Sequence, residues 1–108
     1  MIEMLVGLNI KDEKLYQDYR NAMSPLLERI GGGFRYDFTV AKTLRSQTPH
    51  AINRVFTIYF PSAEAKSSFF DNPEYKSIRE RYFEKSVADA VYIAEYQIEI
   101  KSPHHRVG

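Results

Sequence analysis

Met4, Val6, Leu8 and Ile10 recur with period two, so residues 3–10 are predicted as a strand with one strongly apolar face. Asp12 then offers a helix N-cap, and Leu15, Tyr16, Tyr19, Met23, Leu26, Leu27 and Ile30 follow at helical spacing up to Gly31-Gly32-Gly33. Pro25 falls inside this stripe and is expected to kink or divide the helix near Met23 or Ser24, because its ring removes a backbone donor and crowds the preceding turn. The three glycines read as a left-handed cap and turn, since they lack the lysine and spacing of a phosphate-binding loop.

Phe34, Tyr36, Phe38 and Val40 alternate with Arg35, Asp37 and Thr39, which predicts a half-buried second strand. The stretch 45–52, RSQTPHAI, breaks the pattern and reads as a loop. From Arg54 to Phe60 the chain alternates again, now with apolar residues on both faces. Ser62 caps a short helix to about Phe70, and Asn72-Pro73 supplies a second cap that re-aims the chain into a helix to about Lys85. A last strand is predicted over residues 90–100, and the tail, residues 101–108, reads as flexible.

The order is βαββαβ in one domain, residues 1–100, so the expected architecture is a ferredoxin-like α+β fold. Right-handed crossovers place four antiparallel strands in the order 4-1-3-2 with both helices on one face. Strand phase assigns Met4, Val6, Leu8, Phe34, Tyr36, Phe38, Phe56, Ile58, Tyr92 and Tyr96 to the helix-covered face. Leu5, Gly7, Val55, Thr57, Tyr59, Val91 and Ile93 fall on the other, flanked by Arg35, Asp37, Glu95 and Glu99. An open face so apolar in its centre calls for a cover, and sheet-to-sheet homodimerisation is the simplest one.

Charge adds little, because a net charge of +1 gives no reason to expect nucleic acid or an anionic membrane as partner. The absence of cysteine excludes disulfides, thiolate catalysis and cysteine-held metal clusters. No apolar run approaches the ~20 residues that span a bilayer, and the N-terminal segment lacks a basic leader and a cleavage site. A cytoplasmic setting is the expectation.

The segments Asp12 to Arg20, Pro25 with Ile30-Gly31-Gly32-Gly33-Phe34, Asn53-Arg54-Val55, Phe60-Pro61-Ser62 and Asn72-Pro73-Glu74-Tyr75 to Arg79 together resemble the domain of unknown function 1330 family. That family is placed in the dimeric α/β-barrel superfamily of ferredoxin-like folds, and the resemblance spans about residues 3–97. It implies the fold and dimerisation. It assigns no reaction, although superfamily analogy points to cofactor-free proton transfer or oxygenation if there is one.

Tyr16 and Tyr19 on the first helix, and Tyr75, Ile78, Arg79 and Tyr82 at i, i+3, i+4 and i+7 on the second, form two apolar stripes with polar tips. They either complete the core or line a pocket between helices and sheet. Arg54, in phase with Phe56 and Ile58, and Arg79 each need compensation inside such stripes, either from a carboxylate such as Glu74 or Glu84 or from an anionic ligand. His50 lies in the irregular loop, where it is a surface residue or, if it overhangs the pocket, the candidate general base. Adjacent His104 and His105 lack the spacing that brings two imidazoles to one metal, so no metal site and no cofactor are expected. Glu95 and Glu99, roughly 13 Å apart on a strand, read as solvated edge protection.

RNA recognition by this fold needs exposed aromatics and glycines that the third strand and the Leu5-Val6-Gly7 segment do not supply. The chain is therefore expected to be a homodimer that binds a small organic or carboxylate-bearing molecule between helices and sheet, with Tyr16, Tyr19, His50, Arg54, Tyr75 and Arg79 as candidate contacts. The rival expectation is a noncatalytic stress or interaction module whose aromatics fill the core.

Overall fold

The computed structural model describes residues 1–100, and the tail lies outside the described residues. Four strands, β1 (Ile2–Ile10), β2 (Gly33–Thr39), β3 (Arg54–Phe60) and β4 (Val87–Gln97), form one antiparallel sheet in the order β2-β3-β1-β4. This is the order the crossover rule requires. Helices α1 (Glu13–Arg29), α2 (Ala63–Asp71) and α3 (Pro73–Ile78) cover one face, and α3 continues through a π-helical turn (Arg79–Phe83) into a last short turn, α4 (Glu84–Ser86).

Helices α1, α2 and α3 each start where a side chain satisfies an orphan backbone donor. The carboxylate of Asp12 accepts from the amide of Leu15, Ser62 from Ala65 and Asn72 from Glu74, the last just ahead of Pro73 at the first helical position. Helix α1 ends in a Schellman cap: the amide of Gly31, at φ +85°, donates to Glu28, and that of Gly32 donates to Leu27 at 2.9 Å. Pro25 does not divide α1, which runs unbroken through it. Met23, Leu26 and Leu27 on either side are buried in the core, and that burial outweighs the one backbone hydrogen bond the proline removes.

The core lies between helices and sheet, where Val6, Leu8, Phe56, Ile58 and Phe60 meet Tyr16, Met23, Leu27, Phe69 and Tyr75. Two bulges correct the expected faces. In β2, Phe34 pairs with Ile58 but Tyr36 pairs with Thr57, so Arg35 is an extra residue and the alternation inverts after it. Tyr36 and Phe38 therefore turn to the open face, each about half exposed at 52% and 55%, while Asp37 turns toward the helices. In β4, Leu5 pairs with Ala94 and Val6 with Tyr92, so Ile93 is the extra residue. Tyr92 keeps its expected side, but Tyr96 moves to the open face and Glu95 to the helix side, where Lys66 of α2 holds it at 2.5 Å.

On the open face Glu3 is fully covered, its carboxylate taking both Nε and Nη2 of Arg35 at 2.8 Å and the hydroxyl of Tyr96 at 2.6 Å. The loop between β2 and β3 folds back onto this face near Gly7, where Ile52 would stand 3.2 Å from any Cβ. No helix among the described residues is long and apolar enough to cross a membrane.

Candidate functional site

Between the helices and the sheet is a cavity of about 40 Å³. Its sheet wall is Met4, Val6, Leu8, Phe34, Phe56 and Ile58; Tyr16, Tyr19, Arg20 and Met23 of α1 form its roof. Phe70, Tyr75 and Arg79 are shared with an outer groove of about 410 Å³, to which Lys76, Glu80 and Glu84 also contribute.

Four of the expected residues reach this cavity or its rim. The hydroxyls of Tyr19 and Tyr75 lie 2.9 Å apart and tie α1 to α3 in the buried interior. Tyr16 is fully buried and accepts a hydrogen bond at 2.8 Å from Nε of Arg20. Burial raises the pKa of all three phenols, Tyr19 most, so they remain protonated donors at neutral pH. Arg79 stands at the rim, paired at 2.7 Å with Glu84, one of its two expected partners, and lies over the ring of Phe83.

The π-helical turn resets the helical phase after Arg79. A regular helix would bring Tyr82 round to the stripe of Tyr75 and Ile78; the wider turn instead delivers Phe83 to the cavity, 5.1 Å from the ring of Tyr19.

Arg54 is compensated differently from the expectation. Its partner is Asp37, bound through Nε at 2.7 Å and Nη2 at 2.9 Å, with Glu13 at 3.8 Å. Neither Glu74 nor Glu84 takes part, because the bulge in β2 has brought a nearer carboxylate to the same face. Burial raises the pKa of Asp37, but its bonds to Arg54 and Arg20 outweigh this and hold the carboxyl below its ordinary range.

His50 is not at the cavity. Its backbone N–H and ring Nδ1 both meet Asp89, at 3.1 and 2.5 Å, on the side of the sheet where the neighbouring Ile52 covers Gly7. The imidazole is separated from the cavity by the sheet itself, so the general-base role, which required it to overhang the pocket, has no geometric support.

Arg20 was not among the expected site residues. It is 8% exposed, its guanidinium lies 3.9 Å from the ring centre of Phe34 and 4.7 Å from that of Phe56, and Nη1 reaches Asp37 at 3.2 Å. Nη2 is buried with no hydrogen-bond partner among the described residues. A signal was present: Arg20 follows Tyr16 by four residues and precedes Met23 by three, so it sits on the buried stripe of α1.

The architecture is that of a ferredoxin-like α+β protein, and solved structures agree. A protein of unknown function from Rhodopseudomonas palustris is 19% identical, with a TM-score of 0.76 over 93% of this chain and 83% of that one. A dabb family protein with a ferredoxin-like fold from Mesorhizobium loti is 14% identical, with a TM-score of 0.68 over 91% of this chain and 96% of its own. A dimeric ferredoxin-like protein of unknown function from Jannaschia sp. matches with a TM-score of 0.55 at 14% identity, over 90% and 98% of the two chains. No curated protein matches in sequence. Residues 4–96 match the family described as Domain of unknown function (DUF1330), and the chain belongs to that family.

Proposed function

We propose that this protein works in the cytosol as a homodimer, joined through its open sheet faces, that holds a small organic molecule in the cavity between helices and sheet. The observation that carries the reading is the make-up of that cavity: an apolar wall onto which Tyr16, Arg20, Tyr19 and Tyr75 converge from two helices. Apolar walls with a few fixed polar groups characterise small-molecule sites. The groove beyond Phe70, Tyr75 and Arg79 supplies an approach. Dimerisation is supported by the exposed Tyr36, Phe38, Ile93 and Tyr96 on the open face and by the dimeric relative of the same fold.

A second reading, the noncatalytic module with a filled core, draws support from the volume. About 40 Å³ accommodates water or a very small solute, whereas benzene occupies an engineered cavity of about 150 Å³ in another protein. Thermal-shift and ligand-detected NMR screens with acidic, basic and neutral fragments separate the two. A ligand at 100 times its Kd is expected to stabilise by about 2.7 kcal/mol. Ala90→Leu, which adds bulk to the cavity from an exposed position on β4, should abolish the shift. A screen in which no fragment of any charge class binds saturably would leave the filled-core reading.

A further inference from the structure

The hydrogen-bonding capacity of the cavity is one-sided. Among the described residues its lining contains two arginines and four tyrosines, Tyr92 at the β4 edge included, and no Asp, Glu, Asn, Gln or His. Asp37, the one carboxylate among the described residues that approaches from behind, is already engaged on both oxygens, Oδ1 by Arg54 and Oδ2 by Arg54 and Arg20.

Donors, in contrast, are left over. Nη2 of Arg20 has no partner among the described residues, and Tyr16 spends its oxygen as an acceptor from Nε of the same guanidinium, which leaves its own O–H unassigned. In the Tyr19–Tyr75 pair one hydroxyl donates to the other, so one further O–H is unspent among the described residues. A buried guanidinium nitrogen without an acceptor carries a desolvation cost that an ordinary packed core avoids. The two cations Arg20 and Arg54 also face a single close carboxylate, with Glu13 exposed and 3.8 Å from Arg54, so the inner wall carries excess positive charge.

We infer that the ligand is a short-chain monocarboxylate, its carboxylate accepting from Nη2 of Arg20 and the hydroxyl of Tyr16 and its carbon chain lying on the apolar sheet wall. This rests on the proposed small-molecule site and specifies its chemistry. One acceptor group with two oxygens uses the adjacent donors of Arg20 and Tyr16 together, as charge-assisted pairs do. The volume sets the size at the carboxylate end: about 40 Å³ holds the carboxylate and the first one or two carbons against the sheet wall, and the rest of a chain as long as butyrate, which has as many heavy atoms as benzene, extends past Phe70 and Tyr75 into the outer groove. An inorganic anion would satisfy the donors but would leave the apolar wall uncovered.

The test is calorimetric titration of the full chain with acetate, butyrate, butyramide, benzoate and chloride, with carboxyl-labelled butyrate followed by carbon NMR. Butyrate is expected to bind saturably and at least tenfold more tightly than butyramide, chloride or benzoate. Tyr16→Phe, which keeps the ring, should weaken butyrate by about tenfold, the loss of one charge-assisted hydrogen bond. Arg20→Met should abolish it, and Arg20→Lys, which keeps the charge without the fork, serves if the methionine variant fails to fold. Equal binding of butyramide and butyrate would overturn the carboxylate assignment while leaving the cavity site standing. Tighter binding of chloride than of butyrate would assign the donors to inorganic anions and also overturn it. Absence of binding by every one of these probes, together with a blank fragment screen, would remove both.

Discussion

The hydroxyl oxygens of Tyr19 and Tyr75, 56 residues apart in sequence, lie 2.9 Å apart, and this contact joins α1 to α3 across the top of the cavity. Both side chains are buried, so each hydroxyl is the other's only partner among the described residues. Tyr19→Phe and Tyr75→Phe are each expected to lower stability by about 1–2 kcal/mol, because each strands a buried hydroxyl. The double variant should cost less than the sum, by roughly 0.5–1.5 kcal/mol, since the second change removes the stranded group. Urea denaturation of the four proteins measures the coupling, and strict additivity would show that the pair contributes nothing as a pair.

Glu3 makes stability acid-sensitive. Its hydrogen bonds with Arg35 hold its carboxyl below the ordinary value of 4.5, against the opposing effect of burial. A carboxylate with a depressed folded-state pKa contributes stability above its unfolded pKa and loses it as pH falls through the folded value. Melting temperature should therefore be flat near neutrality and fall below about pH 4.5, with Glu3→Gln melting lower at pH 7 and showing a shallower acid decline. Asp37 adds a decline of the same sign, so the measurement is the difference between the wild-type and Glu3→Gln curves. Parallel curves would show that Glu3 is not responsible.

Phe38 tests the proposed dimer without touching the protomer core. It is 55% exposed, stacked beside Tyr36 on the open face, and paired in register with Val55. Phe38→Glu places an unpaired charge in any sheet-to-sheet interface while leaving the helix side intact. Ultracentrifugation at micromolar concentration should show a dimer for the native chain and a monomer with unchanged circular dichroism for the variant. A variant that stays dimeric would move the interface elsewhere.

Gly32 is held by close approach. A Cβ there would stand 2.6 Å from Cδ1 of Leu27 and 2.7 Å from the carbonyl oxygen of Tyr59. The leucine tip can shift but the backbone oxygen of β3 cannot do so without straining the strand. Gly32→Ala is expected to destabilise by about 1–3 kcal/mol in chemical denaturation. A loss within a few tenths of a kcal/mol of zero would show that the α1–β2 junction is more compliant than its geometry indicates.

Element identity and strand order were legible in the sequence because they depend on local chemistry and on handedness. Asp12, Ser62 and Asn72 cap helices through side chains that act within three residues, and Gly31 ends α1 because its φ is positive. Crossover chirality then leaves one simple order for βαββαβ, and that order is present. Tyr16, Tyr19 and Tyr75 were visible as a buried group for the same reason, since helical periodicity within one element is a local signal.

What the tertiary structure decided is every feature that depends on a partner strand or helix. Alternation carries no mark of the bulges at Arg35 and Ile93, because an extra residue is defined by what lies opposite it. Those two residues reassign Tyr36, Phe38 and Tyr96 to the open face and bring Asp37 to Arg54 and Arg20. The π-helical turn likewise exchanges Tyr82 for Phe83 at the cavity. Arg20 sat on the buried stripe all along, but a charge on such a stripe becomes tolerable only when a distant strand supplies Asp37, Phe34 and Phe56 around it.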